Sequence, residues 1–192
     1  RDGLFLNGVR RIGKTTFIRR DLIPQLEKEN ALVIYVDLSD NRERIYASEA
    51  VLSKVRESLA DLSRLSFLKA KPSAVSLQFD AKQVGTPTGV SLAQAFSEII
   101  ATYDVNVVLI IDEIQELLRS EAGLNQLAAL KAARDAINLR PNNPNDTYFL
   151  LVGIGSQHSL IKSMVTGSSQ AFYGSDHLVL SLIHISEPTR PY

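Results

Sequence analysis

The chain alternates between short runs that are almost wholly apolar and longer stretches in which apolar residues recur every three or four positions. Leu4, Phe5 and Leu6 make the first run, which ends at Asn7-Gly8 and reads as a buried strand entering a turn. Helical spacing follows from Lys14 to about Glu29, with Phe17, Ile18, Leu22 and Leu26 on one side. Pro24 falls inside that stretch and predicts a kink or a split, because it has no N–H to give and crowds the carbonyl four residues back. Ala31 to Leu38 is apolar nearly throughout and rich in β-branched residues, the pattern of a strand covered on both faces. Ser48 to Leu62 returns to helical spacing, with Val51, Leu52, Val55, Leu59 and Leu62 on the apolar side.

Residues 63–90 carry a weaker pattern. Pro72, Gly85, Pro87 and Gly89 punctuate them, while Val75, Leu77 and Phe79 alternate with polar residues, so a hairpin or edge-strand excursion is expected. Ser91 stands where a helix reaching about Tyr103 would need its N-cap. Val107 to Asp112 reads as a further buried strand, and Leu124 to Leu139 as a helix stopped by Pro141. After the loop Asn142 to Asp146, Tyr148 to Ile154 is a third strongly apolar strand. Strands and helices in alternation predict an α/β domain with a parallel sheet. The sequence holds no internal repeat.

The candidate chemistry lies where strands end. Gly8-Val9-Arg10-Arg11-Ile12-Gly13-Lys14-Thr15 matches G-x-x-x-x-G-K-[ST] in full, between a predicted strand and a predicted helix. The glycines let the backbone turn tightly so that its N–H groups form an anion-binding nest, to which the helix N-terminus adds partial positive charge. Lys14 is expected to reach the β- and γ-phosphates of a nucleotide and Thr15 to place its hydroxyl on Mg²⁺, with Thr16 beside them. The segment resembles the phosphate loop of P-loop NTPases. Farther along, Val107 to Ile111 delivers Asp112 and Glu113 at a strand's C-terminal end, the edge at which open α/β sheets bind ligands. Asp112 is the natural partner of Mg²⁺, directly or through water. Glu113 is placed to orient and deprotonate an attacking water. Two adjacent acids of this kind point to water as the phosphoryl acceptor.

Composition narrows the setting. The 192 residues are 45% apolar, which suffices for one full-sized α/β domain. Lys+Arg and Asp+Glu both number 21, so no global basic field exists to hold nucleic acid. There is no Cys, which excludes disulfides and thiolate metal sites and leads us to expect a reducing cytoplasm. The longest apolar run, Val105 to Ile111, is interrupted by Asn106 and falls far short of the roughly 20 residues of a membrane span. No signal peptide is visible; the chain begins at Arg1 and reads as a fragment. Absence of an N-K-x-D pattern argues against a GTPase, and absence of L-S-G-G-Q against an ABC transporter ATPase. His158, His177 and His184 show no metal spacing, and Arg19 and Arg20 read, with Arg10 and Arg11, as a small basic and solvated face.

Taken together, NGVRRIGKTTFIRRDLIPQLE, YVDLSD, VVLIIDEIQ, LAALKAARDAIN and LVGIGSQHSLI resemble the AAA-type ATPases of the P-loop class. They are similar, more closely, to a branch of prokaryotic predicted ATPases related to origin-recognition-like and STAND-type proteins. The likeness covers residues 3–182. It implies a three-layer sandwich around a five-stranded, mostly parallel sheet, with the acidic strand next to the phosphate-loop strand. It also implies a polar sensing residue at the end of a further strand, for which Gly155-Ser156-Gln157-His158 offers Ser156, or Gln157, at the γ-phosphate. Ser175 follows Tyr173-Gly174 where related ATPases often place an arginine that acts across a subunit boundary, so that arginine does not carry over. Beyond residues 1–182, the segment 183–192 (IHISEPTRPY) resembles adapter-derived endings and is expected to be non-native or disordered, which would leave out the helical lid with its own phosphate-sensing arginine. The expectation is an ATP- and Mg²⁺-dependent hydrolase, slow as an isolated fragment, with a homo-oligomeric neighbour or a downstream module as partner. The alternatives are a nucleotide switch with little turnover, a small-molecule phosphotransferase, and a DNA-associated motor that the neutral charge does not support.

Overall fold

The computed structural model describes residues 3–9, 12–39, 46–62, 79–139, 148–166, 172 and 175–179. Five strands form one sheet: β1 (Leu4–Asn7), β2 (Ala31–Asp37), β3 (Asn106–Asp112), β4 (Phe149–Gly155) and β5 (Asp176–Val179). All neighbours pair parallel, in the order β2-β3-β4-β1-β5. The helices are α1 (three consecutive pieces, Lys14–Phe17, Ile18–Leu22 and Ile23–Lys28), α2 (Ala47–Ala60), α3 (Leu92–Tyr103), α4 (Glu121–Asn138) and α5 (His158–Thr166).

The period-two alternation within each strand sends side chains to two different layers. Leu6, Val108, Ile110, Val152 and Ile154 face α1, whose Ile18 is buried against them with Leu22, Ile23 and Leu26 at the margin. Ile34, Val36, Leu109, Ile111 and Leu151 face the other way, onto Val55 of α2, Phe96 and Ile99 of α3, Leu130 of α4 and Ile161 of α5. The Phe96 and Phe149 rings, 5.0 Å apart and tilted, join α3 to β4. This is the three-layer α/β sandwich expected of the sequence, with a sheet that is parallel throughout.

Local signals held where their chemistry was specific. Ser91 caps α3 as expected: its hydroxyl accepts the Gln94 N–H while the Gln94 side chain accepts the Ser91 N–H, a reciprocal capping box. Pro24 splits α1 without ending it. Ahead of the proline the helix widens into a π-turn over Ile18–Leu22, closed by the Ile23 N–H on the Ile18 carbonyl, and the wider turn makes room for the ring.

One expectation needs correction. Acidic strand β3 is not beside phosphate-loop strand β1, because β4 lies between them and pairs with both. β4 is apolar on both faces, so it is best buried with a strand on either side, and its glycines permit close packing there. A Cβ on Gly153 would lie 2.7 Å from the Phe5 ring, and one on Gly155 2.5 Å from the Gln115 side chain. Of the excursion expected over residues 63–90, the stretch 63–78 lies outside the described residues; after Phe79 a 3₁₀ turn spans Ala81–Gln83, with Asp80 as its cap. Val75 and Leu77 lie outside the described residues, as does the segment 183–192. Among the described residues no helix is long and apolar enough to cross a membrane.

Leu109 is fully buried in the middle of β3. Leu109→Ala is expected to cost about 2–5 kcal/mol, combining lost transfer energy with a cavity that a sheet strand cannot collapse. Urea unfolding followed by circular dichroism reads this directly, and a change below about 1 kcal/mol would show that the sheet centre is looser than described.

Candidate functional site

The carboxyl ends of β1, β3 and β4 converge, and the turn after β1 is built for backbone exposure. Gly13 has φ 90°, a left-handed conformation that glycine adopts without a Cβ penalty, and its carbonyl accepts the Phe17 N–H at 2.9 Å to start α1. The Gly8 N–H donates to the Gly155 carbonyl at 3.3 Å, which fastens the loop's first residue to the end of β4. Lys14 curls under the loop. Its Nζ donates to the Gly8 carbonyl at 2.7 Å and the Val9 carbonyl at 3.0 Å, and only 7% of the residue is exposed. Val9, Gly13 and Thr16 are exposed, while Ile12 and Thr15 are half-buried. Arg10 and Arg11 lie outside the described residues.

Asp112 ends β3 and is 4% exposed. Thr15 Oγ1 donates to its Oδ2 at 2.8 Å, so the two residues singled out for a metal are in direct contact across the end of β4. A second donor reaches the same oxygen: the Tyr35 hydroxyl, at 3.0 Å. The Glu113 N–H donates to Oδ1 at 3.0 Å. Burial raises the Asp112 carboxyl above the ordinary carboxylate value, Thr15 and Tyr35 oppose this by hydrogen bonding, and the charges of Asp37 and Glu113 add to the rise. Burial likewise pushes the Tyr35 phenol up, helped by the negative charges of Asp112 and Asp37, so it remains a protonated donor. On the outer side of that ring Arg19 sits 4.9 Å from the centroid and 3.7 Å from Asp37 Oδ2. Arg19 is therefore part of this cluster, although its charge still faces solvent on the exposed side of α1.

Glu113 breaks from strand geometry. Its φ is 56°, a left-handed conformation uncommon for a residue with a Cβ and costing about 1–3 kcal/mol. Oε2 accepts from Ser156 Oγ at 2.9 Å and from the amide of Gln115, a fully buried residue one position into the following 3₁₀ turn, Ile114–Arg119. Ser156 thus lies against the carboxylate rather than in a loop of its own. Two residues farther on, the His158 ring nitrogen Nδ1 contacts the Asn7 side-chain nitrogen at the base of the phosphate loop. Sequence reasoning brought together Lys14, Thr15, Asp112, Glu113 and Ser156. It passed over Tyr35, Gln115, Asn7 and His158. The one available signal was for Tyr35, which breaks an apolar run on the same alternation as Asp37.

The donor set fits a hard divalent cation. A buried carboxylate and a threonine hydroxyl side by side are oxygen ligands of the type Mg²⁺ uses with phosphate oxygens, and a phosphate loop adjoins them. Raised folded-state ionisation has a sign that can be checked: Asp112 holds its proton to higher pH folded than unfolded, so stability falls as pH rises above the ordinary value of 3.8 and stays lower beyond the folded value. Asp112→Asn is therefore expected to raise the melting temperature of the nucleotide-free protein at pH 7.5, with a gain that shrinks towards pH 4. Calorimetric melts at the two pH values decide it; a neutral-pH loss of stability would mean that the carboxylate is already compensated.

The model of the AAA domain family matches residues 2–160. No curated protein matches the chain in sequence. Among solved structures, the Aeropyrum pernix ORC2 protein in its ADPNP-ADP complexes superposes with a TM-score of 0.58 at 15% identity, over 93% of this chain and 42% of that one. Its ADP form gives 0.57 at 15% identity, with the same coverage. The Aeropyrum pernix ORC1 protein in complex with DNA gives 0.43 at 18% identity, over 93% of this chain and 39% of that one. The chain thus spans about two fifths of the length of these structural neighbours, and at 15% identity the likeness to the ORC2 protein is one of fold. Its sequence from residue 2 to 160, wrapped around a phosphate loop and an acidic strand end, makes the chain a member of the AAA domain family and an AAA-type ATP-binding domain.

Proposed function

We propose that this domain hydrolyses ATP to ADP and phosphate with Mg²⁺. The observation that carries the reading is the 2.8 Å bond from Thr15 to Asp112, which unites two segments 97 residues apart beside a lysine-bearing phosphate loop. The loop amides and Lys14 Nζ hold the β- and γ-phosphates, the lysine exchanging its present carbonyl partners for phosphate oxygens. Thr15 and Asp112 hold the metal, which when bound neutralises charge developing on the phosphates. Glu113 takes the proton of a water that attacks the γ-phosphorus, and the bond from that phosphorus to the β–γ bridging oxygen breaks, so that ADP leaves. Of the two Glu113 oxygens, Oε2 is held by Ser156 and Gln115, which leaves Oε1 for the water. Ser156 reports γ-phosphate occupancy to α5, which begins two residues later. Transition-state charge needs an arginine from a neighbouring copy or a downstream module, so turnover by this chain alone is slow.

One observation favours a second reading, a nucleotide switch with little turnover. Two donors on Glu113 Oε2, with a left-handed backbone beneath, fix the carboxylate in a way that serves sensing as well as catalysis. Calorimetry and phosphate release on the same samples separate the two. Lys14→Ala is expected to lose Mg-ATP binding. Glu113→Gln should keep binding and lose hydrolysis by about 10²- to 10⁴-fold, the ordinary worth of a general base. Tight binding with no hydrolysis for Glu113→Gln to remove selects the switch. Undiminished binding by Lys14→Ala would sink both readings.

A further inference from the structure

We propose that Tyr35 is a positioning residue for the metal carboxylate, its phenol fixing Asp112 in the orientation that Mg²⁺-nucleotide requires. The inference rests on the reading of Thr15 and Asp112 as metal-holding residues. Tyr35 and Asp112 lie on neighbouring strands, where Tyr35 pairs with Ile110 and Asp37 with Asp112. Tyr35 is therefore the diagonal neighbour of Asp112 on the sheet face covered by α1, at a distance that only a long or aromatic side chain spans. Its hydroxyl completes that span, reaching Oδ2 at 3.0 Å.

The geometry leaves Asp112 little freedom. Oδ1 is fixed by the Glu113 N–H, and Oδ2 by Thr15 on one side and Tyr35 on the other. Thr15 belongs to the phosphate loop and answers to the nucleotide, whereas Tyr35 belongs to a sheet strand and does not. The tyrosine is thus the donor that keeps the carboxylate aimed while the loop adjusts. Its ring is held in turn from α1, where Arg19 lies over it at 4.9 Å and reaches Asp37 at 3.7 Å. A neutral donor suits this place. An arginine or lysine bonded to Asp112 would cancel the negative charge that attracts a cation; a phenol orients the carboxylate and leaves its charge intact. Arg19, which does carry charge, directs it to Asp37 instead.

Tyr35→Phe removes the hydroxyl, with its bond to Asp112 and its interaction with Arg19, and keeps the ring, its packing and the Arg19 contact over the ring face. The test uses the full chain with ADPNP, a non-hydrolysable ATP analogue, and Mn²⁺ as the paramagnetic stand-in for Mg²⁺. Mn²⁺ affinity of the ADPNP complex is read by electron paramagnetic resonance, and ADPNP affinity in EDTA by calorimetry. The expected result is metal affinity weakened by about 10- to 100-fold, the usual effect of losing a partner that orients a metal ligand, with metal-free nucleotide affinity unchanged and the melting temperature lowered by no more than the loss of one hydrogen bond. Metal affinity within twofold of wild type would overturn the proposal. So would a parallel loss of metal-free binding and melting temperature, which would make Tyr35 a packing residue. Failure of the wild type to bind ADPNP under either condition would instead overturn the nucleotide site itself, and the role of Tyr35 with it.

Discussion

The hydrogen bond from Thr15 to Asp112 has to pass over the end of an intervening strand, and much of the architecture follows from that constraint. Because β4 separates β1 from β3, the phosphate loop and the acidic pair meet only if β4 carries nothing bulky at its tip. Gly155 satisfies this condition. Its carbonyl receives the Gly8 N–H, and the space a Cβ would fill is taken by Gln115 and Ile161. The residues after it then reach both ways: Ser156 bonds Glu113 on the β3 side, and His158 meets Asn7 on the β1 side. The end of β4 is thus bonded to both halves of the site. A chain of short contacts therefore joins the phosphate loop to Glu113 and to the start of α5.

Electrostatics explain why such a site is held under tension. Asp37 and Asp112 sit opposite one another on adjacent parallel strands, and Glu113 follows directly. Like charges so placed repel, and burial of Asp112 adds a desolvation cost that Thr15 and Tyr35 only partly offset. The left-handed backbone at Glu113 adds to the cost. Strain and repulsion are thus concentrated at one strand end of a sheet whose faces are thoroughly apolar, and under the proposed function this end would receive a cation and a polyphosphate.

The sequence alone determined whatever depends on neighbours along the chain. The strands followed from runs such as Ala31 to Leu38, the α3 start from Ser91 and Gln94, and the phosphate loop from eight consecutive residues, because pleat, cap and nest are each built within one local stretch. The contact of Thr15 with Asp112 was legible for the same reason, since each motif carries its own signature. Only the tertiary structure decided the strand order. An apolar strand reads alike whether it lies beside β1 or beyond it, so the place of β4 between phosphate loop and acidic pair left no local trace. The same holds for Tyr35, Gln115 and Asn7. Their roles arise from contacts across 77, 2 and 151 residues, and even the shortest of these needs the left-handed turn at Glu113 that no pattern announced. Side-chain chemistry is written residue by residue, whereas the partner each side chain finds is set by which strands the sheet brings together.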